Sequence, residues 1–451
     1  MLAPQTVTAL GGAYAAIADG VEGMGQNAAA PTVRPPYSLS WFDYDISIGA
    51  SLPGTFGKTD FDNRGEVGLN SSAFFYTLGG VVQLGRLGFG VTADFQRYAL
   101  AAQGAVPGTL VNIGRAHAQV AYTLLGDQLS IGGGVRGVSA TVDTMAENQK
   151  PTQVIVRTQT NVLTMLGVSP ELGMLLRPDY LPWRLGVTYR FPVNASGEPD
   201  QTATSTSGVR SAGGLPLPAR VHWPWELEIG VALSAGPRPL NPKWLDPHEQ
   251  EETLARQIAI SRRTRRLAQE LELSRIADPD ARAAREAEID HAEQYEVAAE
   301  ELRMERQSAQ LLEERRARYK NWPRARIAVM AEVLVTGPTD HGISLQSFLR
   351  REDVPAGGKT TVQPRLGIEG EPVPYYLVAR VGTYIEPSRY ELPPTPGVLA
   401  GARQHFTFGL DVKTVTWNVW GITKMTEWRV TFAGDVAPRY QNIGLSVGTW
   451  H

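Results

Sequence analysis

Charged and titratable side chains recur at one phase of a repeated alternation along this 451-residue chain. Asp43, Asp45, Asp94, Arg115, His117, Arg184, Arg190, Glu226, Glu228, Arg326 and Glu332 all fall on the phase opposite the apolar stripe of their segment. Carboxylates, guanidinium groups and an imidazole gathered on one face could exchange protons, select ions or pair with one another. Mixed signs at this density favour pairing across an interior over a selective ion pore. Catalysis finds little support. There is no Gly-x-Ser-x-Gly, no His-Glu-x-x-His, no phosphate-binding glycine loop, and the seven histidines are scattered. With no cysteine, disulfides, thiolate metal sites and thiol chemistry are excluded. No metal or cofactor is expected. A net charge of −3 with no basic excess argues against nucleic acid as the partner.

The elements that must hold these residues are strands. Between Val221 and Leu233, Val221, Trp223, Trp225, Leu227, Ile229, Val231 and Leu233 alternate with His222, Pro224, Glu226, Glu228, Gly230 and Ala232. Successive side chains on a strand face opposite ways, so this reads as one continuous strand. It has an apolar outer face, with Trp223 and Trp225 near one end. The same grammar runs from Phe42 to Phe191 and again from Ala325 to Thr449, giving about 14 strands of roughly 9–15 residues, which suits a tilted strand crossing a bilayer. Tight turns near 85, 126 and 178–182 alternate with long loops near 53–70, 100–113, 143–153, 194–216 and 337–360. That asymmetry belongs to an outer-membrane barrel, with the polar phase lining the lumen. A soluble β-sandwich or propeller is the competing reading, but no blade-like repeat is present. The fold class expected is an all-β transmembrane barrel of about 14 antiparallel strands, with an N-terminal plug and an inserted α-helical hairpin. Residues 37–245 and 321–451 supply the strands.

Residues 246–320 are a different material, with 14 Lys/Arg and 18 Asp/Glu in 75 residues. Asp246-Pro247-His248-Glu249 and Asp278-Pro279-Asp280 are helix starts, with a capping acid followed by proline at the first helical position. Two antiparallel helices of about 30 and 40 residues, roughly 45 and 60 Å long, are expected. Leu254, Ile258, Leu267 and Leu271 would form an apolar seam against Ile289, Val297, Leu302 and Leu311. By strand parity the insert replaces a periplasmic turn and would reach toward the cell wall.

Residues 1–36 are rich in small side chains. Gly11-Gly12-Ala13-Tyr14-Ala15-Ala16-Ile17-Ala18-Asp19, followed by Asn27-Ala28-Ala29, resembles the opening of the FadL-type outer-membrane transporters of hydrophobic compounds. That family shows Gly-x-Ala-Tyr…Ala-x-Asp and then Asn-Pro-Ala; here Ala28 stands in place of the proline. The resemblance implies a 14-stranded barrel in the bacterial outer membrane, plugged from inside by this segment. It also implies passive uptake of hydrophobic small molecules such as long-chain fatty acids, which leave sideways through the wall into membrane lipid. The resemblance does not cover 246–320. The other function open to the chain is an envelope scaffold or secretion-associated barrel that meets a periplasmic or cell-wall protein through that insert. Met1-Leu2-Ala3-Pro4-Gln5 lacks the basic and apolar regions of a signal peptide, so an exported protein would carry its signal upstream or have shed it.

Overall fold

The computed structural model describes residues 3–35, 38–57, 59–65, 67, 71–102, 107–145, 158–197, 204–206, 209–212, 215–323, 325–390, 401–418 and 426–450. They form two compact units. One comprises residues 1–35, 43–242 and 323–451; the other comprises 36–42 and 243–322.

The first unit is a closed antiparallel barrel. Its strands are β1 (Phe42–Pro53), β2 (Ser71–Leu84), β3 (Leu87–Leu100), β4 (Thr109–Leu124), β5 (Leu129–Met145) and β6 (Thr158–Leu176). Next come β7, in two pieces (Trp183–Arg190 and Val193–Ser196), and β8, also in two (Arg220–Trp223 and Glu226–Ala235). Then follow β9 (Ile327–Thr336), β10 (Thr361–Val373), β11 (Leu377–Glu386), β12 (Arg403–Trp417), β13 (Thr426–Ala437) and β14 (Tyr440–Thr449). Each strand pairs with the next, and β14 returns to β1 through Ser47↔Gly448 to Pro53↔Asn442, so no edge is left open. The sixteen hydrogen-bonded segments of this sheet thus make fourteen strands.

Outward-facing side chains form an apolar belt. Ile48, Leu78, Val91, Val120, Ile131, Val168, Ile229, Val329, Leu366, Val381, Phe408 and Leu445 are all exposed large hydrophobics. Such a surface cannot face water around a whole circumference; it faces lipid, while closure lets the strands pair with one another around the ring. No helix among the described residues is long and apolar enough to cross a membrane.

Inside, the lumen is filled in three levels. At the short-turn end lies the N-terminal segment, with α1 (Gln5–Ala9) and α2 (Gly20–Gly23), nearly every residue from Ala3 to Val33 being buried. Ion pairs occupy the middle. At the long-loop end an apolar cluster, including Phe75, Tyr98, Val138, Leu163, Leu217 and Leu349, packs across the lumen. The last of these lies on α5 (Leu345–Leu349), capped by Ser344.

The alternation read through Val221–Leu233 is broken. Residues 190 and 226 are partners, as are 193 and 223, so Pro192 falls opposite Pro224. Neither proline can donate a ladder hydrogen bond, and both strands bulge at that level. Across the bulge the faces exchange. Below it Arg190, Glu226 and Glu228 point inward; above it Val193, Ala195, Val221 and Trp223 do, joining the apolar cluster. Trp223 therefore lines the lumen and not the outer surface, while Trp225 packs with Tyr189, ring centroids 6.2 Å apart.

In the second unit, α3 (Pro247–Ser274) and α4 (Pro279–Asn321) form an antiparallel hairpin, begun by the Asp246 and Asp278 side chains as the sequence indicates. The seam differs from the expected one. Leu254 and Ile258 face inward, but Arg262, Arg265 and Gln269 follow them, opposite Glu293, Val297 and Glu300. Leu267 and Leu271 are 58% and 55% exposed, and Leu302 is 47% exposed. The helical period carries these leucines to the far side, because the inward phase set by Leu254 and Ile258 continues through the polar residues. Arg262 and Arg265 hold the Glu300 carboxyl well below the usual carboxylate range, at about 2, chiefly by donating hydrogen bonds to it.

Candidate functional site

The plug is bound to the wall by backbone groups that no helix or sheet satisfies. Tyr14 N and Ala15 N both donate to Glu332 Oε2, at 3.0 and 2.7 Å. Val21 N donates to Asp45 Oδ2 at 2.7 Å. The Tyr14 hydroxyl donates to Asp19 Oδ1 at 2.6 Å, closing a loop within the segment. Asn27 Nδ2 donates to Ala15 O and to Met174 O on the wall, both at 3.0 Å, while its Oδ1 accepts from Ala29 N. Asn27 thus turns the chain without the proline that Ala28 replaces. Gly12 offers its carbonyl to Arg365, and Ala13 packs in the apolar cluster of the plug.

Two wall glycines make this contact attainable. A Cβ on Gly173 would lie 2.3 Å from Asn27 Oδ1 and 2.5 Å from Ala28 N; one on Gly186 would lie 2.1 Å from Ala15 O. Alternation marks both only as small residues of the inward phase. Their partners are 146 and 171 positions away in sequence, so no local pattern announces them.

Around and above the plug the predicted lumen charges resolve into pairs. Asp94 meets Arg115 at 3.1 Å. Arg190 contacts Glu228 at 3.0 Å and Glu226 at 3.3 Å, and donates to Gly25 O of the plug. Arg326 pairs with Glu369 at 2.6 Å. Glu332 accepts from Arg365 at 2.7 Å, and Arg365 also reaches Glu228 at 3.2 Å. Asp43 takes Arg34 of the plug, and His117 binds Glu171. Arg184 stands apart: its guanidinium donates to Asn241 Oδ1 and Leu240 O, so it fixes the chain that leaves β8 and does not meet Glu226 or Glu228. Arg326 does not meet those glutamates either; Arg324, the other arginine near that position, lies outside the described residues.

The charges named from the sequence leave out the residues that join these pairs into a network. Arg136 and Arg365 are inward on β5 and β10, and Glu171 on β6 is buried between His117, Gln119 and Arg190. The signal was present, since Arg136 shares the phase of Gly132 and Gly134, and Arg365 lies between Pro364 and Leu366.

Arg136 has a second task. It donates to Glu226 at 3.0 Å, to Phe191 O at 2.8 Å and to Pro224 O at 3.4 Å. It thereby supplies hydrogen bonds to carbonyls on both sides of the proline break. The break continues sideways: Phe191 N donates to Pro170 O on β6, and Pro338, just past β9, follows the Trp225–Gly337 contact. Prolines thus stand at one level on three neighbouring strands and just past the end of a fourth.

A cavity of about 280 Å3 lies against this level, lined by Gly25 and Gln26 of the plug, by Arg115, Arg136, Arg190 and Arg365, by Glu226 and Glu228, and by Ile113, Trp223 and Leu334. At the mouth, the Asp60 carboxyl is pushed up by burial, against hydrogen bonds from Gly65 N and Arg64 N. Among the described residues no cluster of three or more histidine, aspartate or glutamate side chains could hold a metal.

Fold and lumen together define a closed, 14-stranded transmembrane β-barrel with an internal N-terminal plug. No family model and no curated protein matches the sequence. Solved structures that align along nearly all of it include two channels. The CymD monoaromatic hydrocarbon channel aligns over 99% of this chain and 96% of its own, at 11% identity and a TM-score of 0.48. The Pseudomonas putida toluene transporter TodX covers 100% and 98%, also at 11% identity and 0.48.

Proposed function

We propose that the protein is a passive outer-membrane channel for small hydrophobic molecules, which enter through the apolar outer mouth and leave through the wall. The observation that carries this is the way three features adjoin. The plug with its ion pairs obstructs the lumen below, the cavity lies above it, and the wall beside the cavity is interrupted by Pro192 and Pro224. A solute cannot pass the plug without breaking buried charge pairs, but strands 7 and 8 lack two successive ladder positions, so they part at lower cost there. The cavity volume is at the low end of ligand pockets, roughly 300–1,000 Å3. A compact molecule suits it better than a long acyl chain, and its polar lining favours a ligand with one hydrogen-bonding group. CymD and TodX, described as a monoaromatic hydrocarbon channel and a toluene transporter, are similar in overall path and are consistent with this size class.

The test is uptake in cells whose outer membrane carries the protein as the main added porin. A neutral aromatic probe enters faster than in cells without it, while a sugar of similar size does not. Equal acceleration of the sugar means an open water-filled pore and sinks the reading.

A further inference from the structure

The hairpin carries a second, largely apolar stripe that its own packing does not use. On α3 it is Ile260, Thr264, Leu267 and Leu271; on α4 it is Leu302, Ala298, Tyr295 and His291. Both sets follow the 4–3–4 spacing of a coiled-coil seam, and both lie opposite the inward residues Arg262, Arg265 and Gln269 or Glu293 and Glu300. Ile260 and Tyr295 are each 67% exposed.

The Arg262–Glu300 and Gln269–Glu293 contacts fix which residues of the two helices share a level. Counted from them, Ile260 is level with Leu302, Thr264 with Ala298, Leu267 with Tyr295, and Leu271 with His291. The two outer stripes therefore match layer by layer. Within one hairpin they face away from each other, so the match serves nothing inside a single chain. Copies of a barrel held in one bilayer share one height. Rotating one copy onto its neighbour would bring the α3 stripe of the first against the α4 stripe of the second in this same register.

The flanking charges choose the pairing. Outside the inner seam, α3 carries the exposed Arg263 and Arg266 at this level, where α4 carries the exposed Glu296 and Glu301. Two α3 helices would meet basic against basic, and two α4 helices acidic against acidic. In the α3-to-α4 arrangement, the exposed Arg263 and Glu301 occupy the flanking positions that pair across an antiparallel seam. We propose that copies of this chain associate side by side in the membrane, α3 of one packing on α4 of the next through these stripes. This does not depend on what the barrel transports.

The absence of cysteine makes the test clean. In the full-length protein, reconstituted in vesicles, Leu267→Cys and Tyr295→Cys are introduced singly and together and then oxidised. The double variant gives disulfide-linked dimers and higher species several-fold above either single variant. Arg263→Glu in that background suppresses the ladder, and adding Glu301→Arg restores it. Heat-modifiable migration of every variant checks that the barrel has folded. Single variants that cross-link as well as the double would show like-helix pairing and overturn the proposal. So would a double variant that stays monomeric, including one that in intact cells couples only to a different protein.

Discussion

The lumen and the hairpin use the same ion pairs to opposite ends. Glu332 and Glu228 share Arg365 in a fully buried network that also receives two backbone N–H groups of the plug. Glu300 shares Arg262 and Arg265 at a seam whose arginines are 42% and 27% exposed. In the lumen, removing one partner strands a charge among buried side chains. In the hairpin the arginines reach water, and Glu300 keeps one arginine when the other is lost, so the pairs set register more than they stabilise. Buried pairs can therefore lock a plug, whereas exposed pairs leave a helical arm free to choose partners through its apolar stripe.

The contrast is sharpest under deletion. Arg365→Ala leaves Glu228 and Glu332 facing each other and should cost about 3–5 kcal/mol, the range for breaking a buried pair. Urea unfolding of the reconstituted barrel reads this, together with plug loosening seen as increased proteolysis within residues 1–36. Asn27→Ala removes hydrogen bonds to Ala15 and Met174 and should cost about 1–3 kcal/mol by the same assay, with the barrel itself intact. On the hairpin side, Glu300 sits below its ordinary value, so its stabilising contribution is complete above about 4.5 and is lost as the pH falls through about 2. Helical circular dichroism should decline over that window, and Glu300→Gln should remove the decline. Smallest is Arg285→Ala. Its pairs with Glu272 and Glu288 are exposed, and the loss should be within about 1 kcal/mol. A loss as large as that of Arg365 would erase the distinction between the two regions.

Much of the barrel was legible because alternation is local: Val329, Ala331 and Val333 declare one face within five residues. The helix starts at Asp246 and Asp278 were legible for the same reason. Four features were not. The face exchange at Pro224 depends on Pro192 lying opposite it, a fact of register that no single strand contains. The hairpin seam could be read in two phases, one through Leu267 and one through Arg265, and the salt bridges to Glu300 decide it. The lumen charges could be placed inside, but their pairing follows from closure of the barrel, which brings Arg190 to Glu226 and Glu228 but leaves Arg184 with Asn241. Roles such as those of Gly173 and Gly186 are set by the plug backbone, which sequence distance hides.

The wall beside the cavity is where the transport account stands or falls. Continuing the register on either side puts Phe191 opposite Trp225. Phe191→Cys with Trp225→Cys in the otherwise cysteine-free chain would allow the two strands to be locked by oxidation. Uptake of the aromatic probe should fall to the background of cells lacking the protein and return on reduction. Unchanged uptake with the disulfide fully formed would contradict passage through the wall at this level.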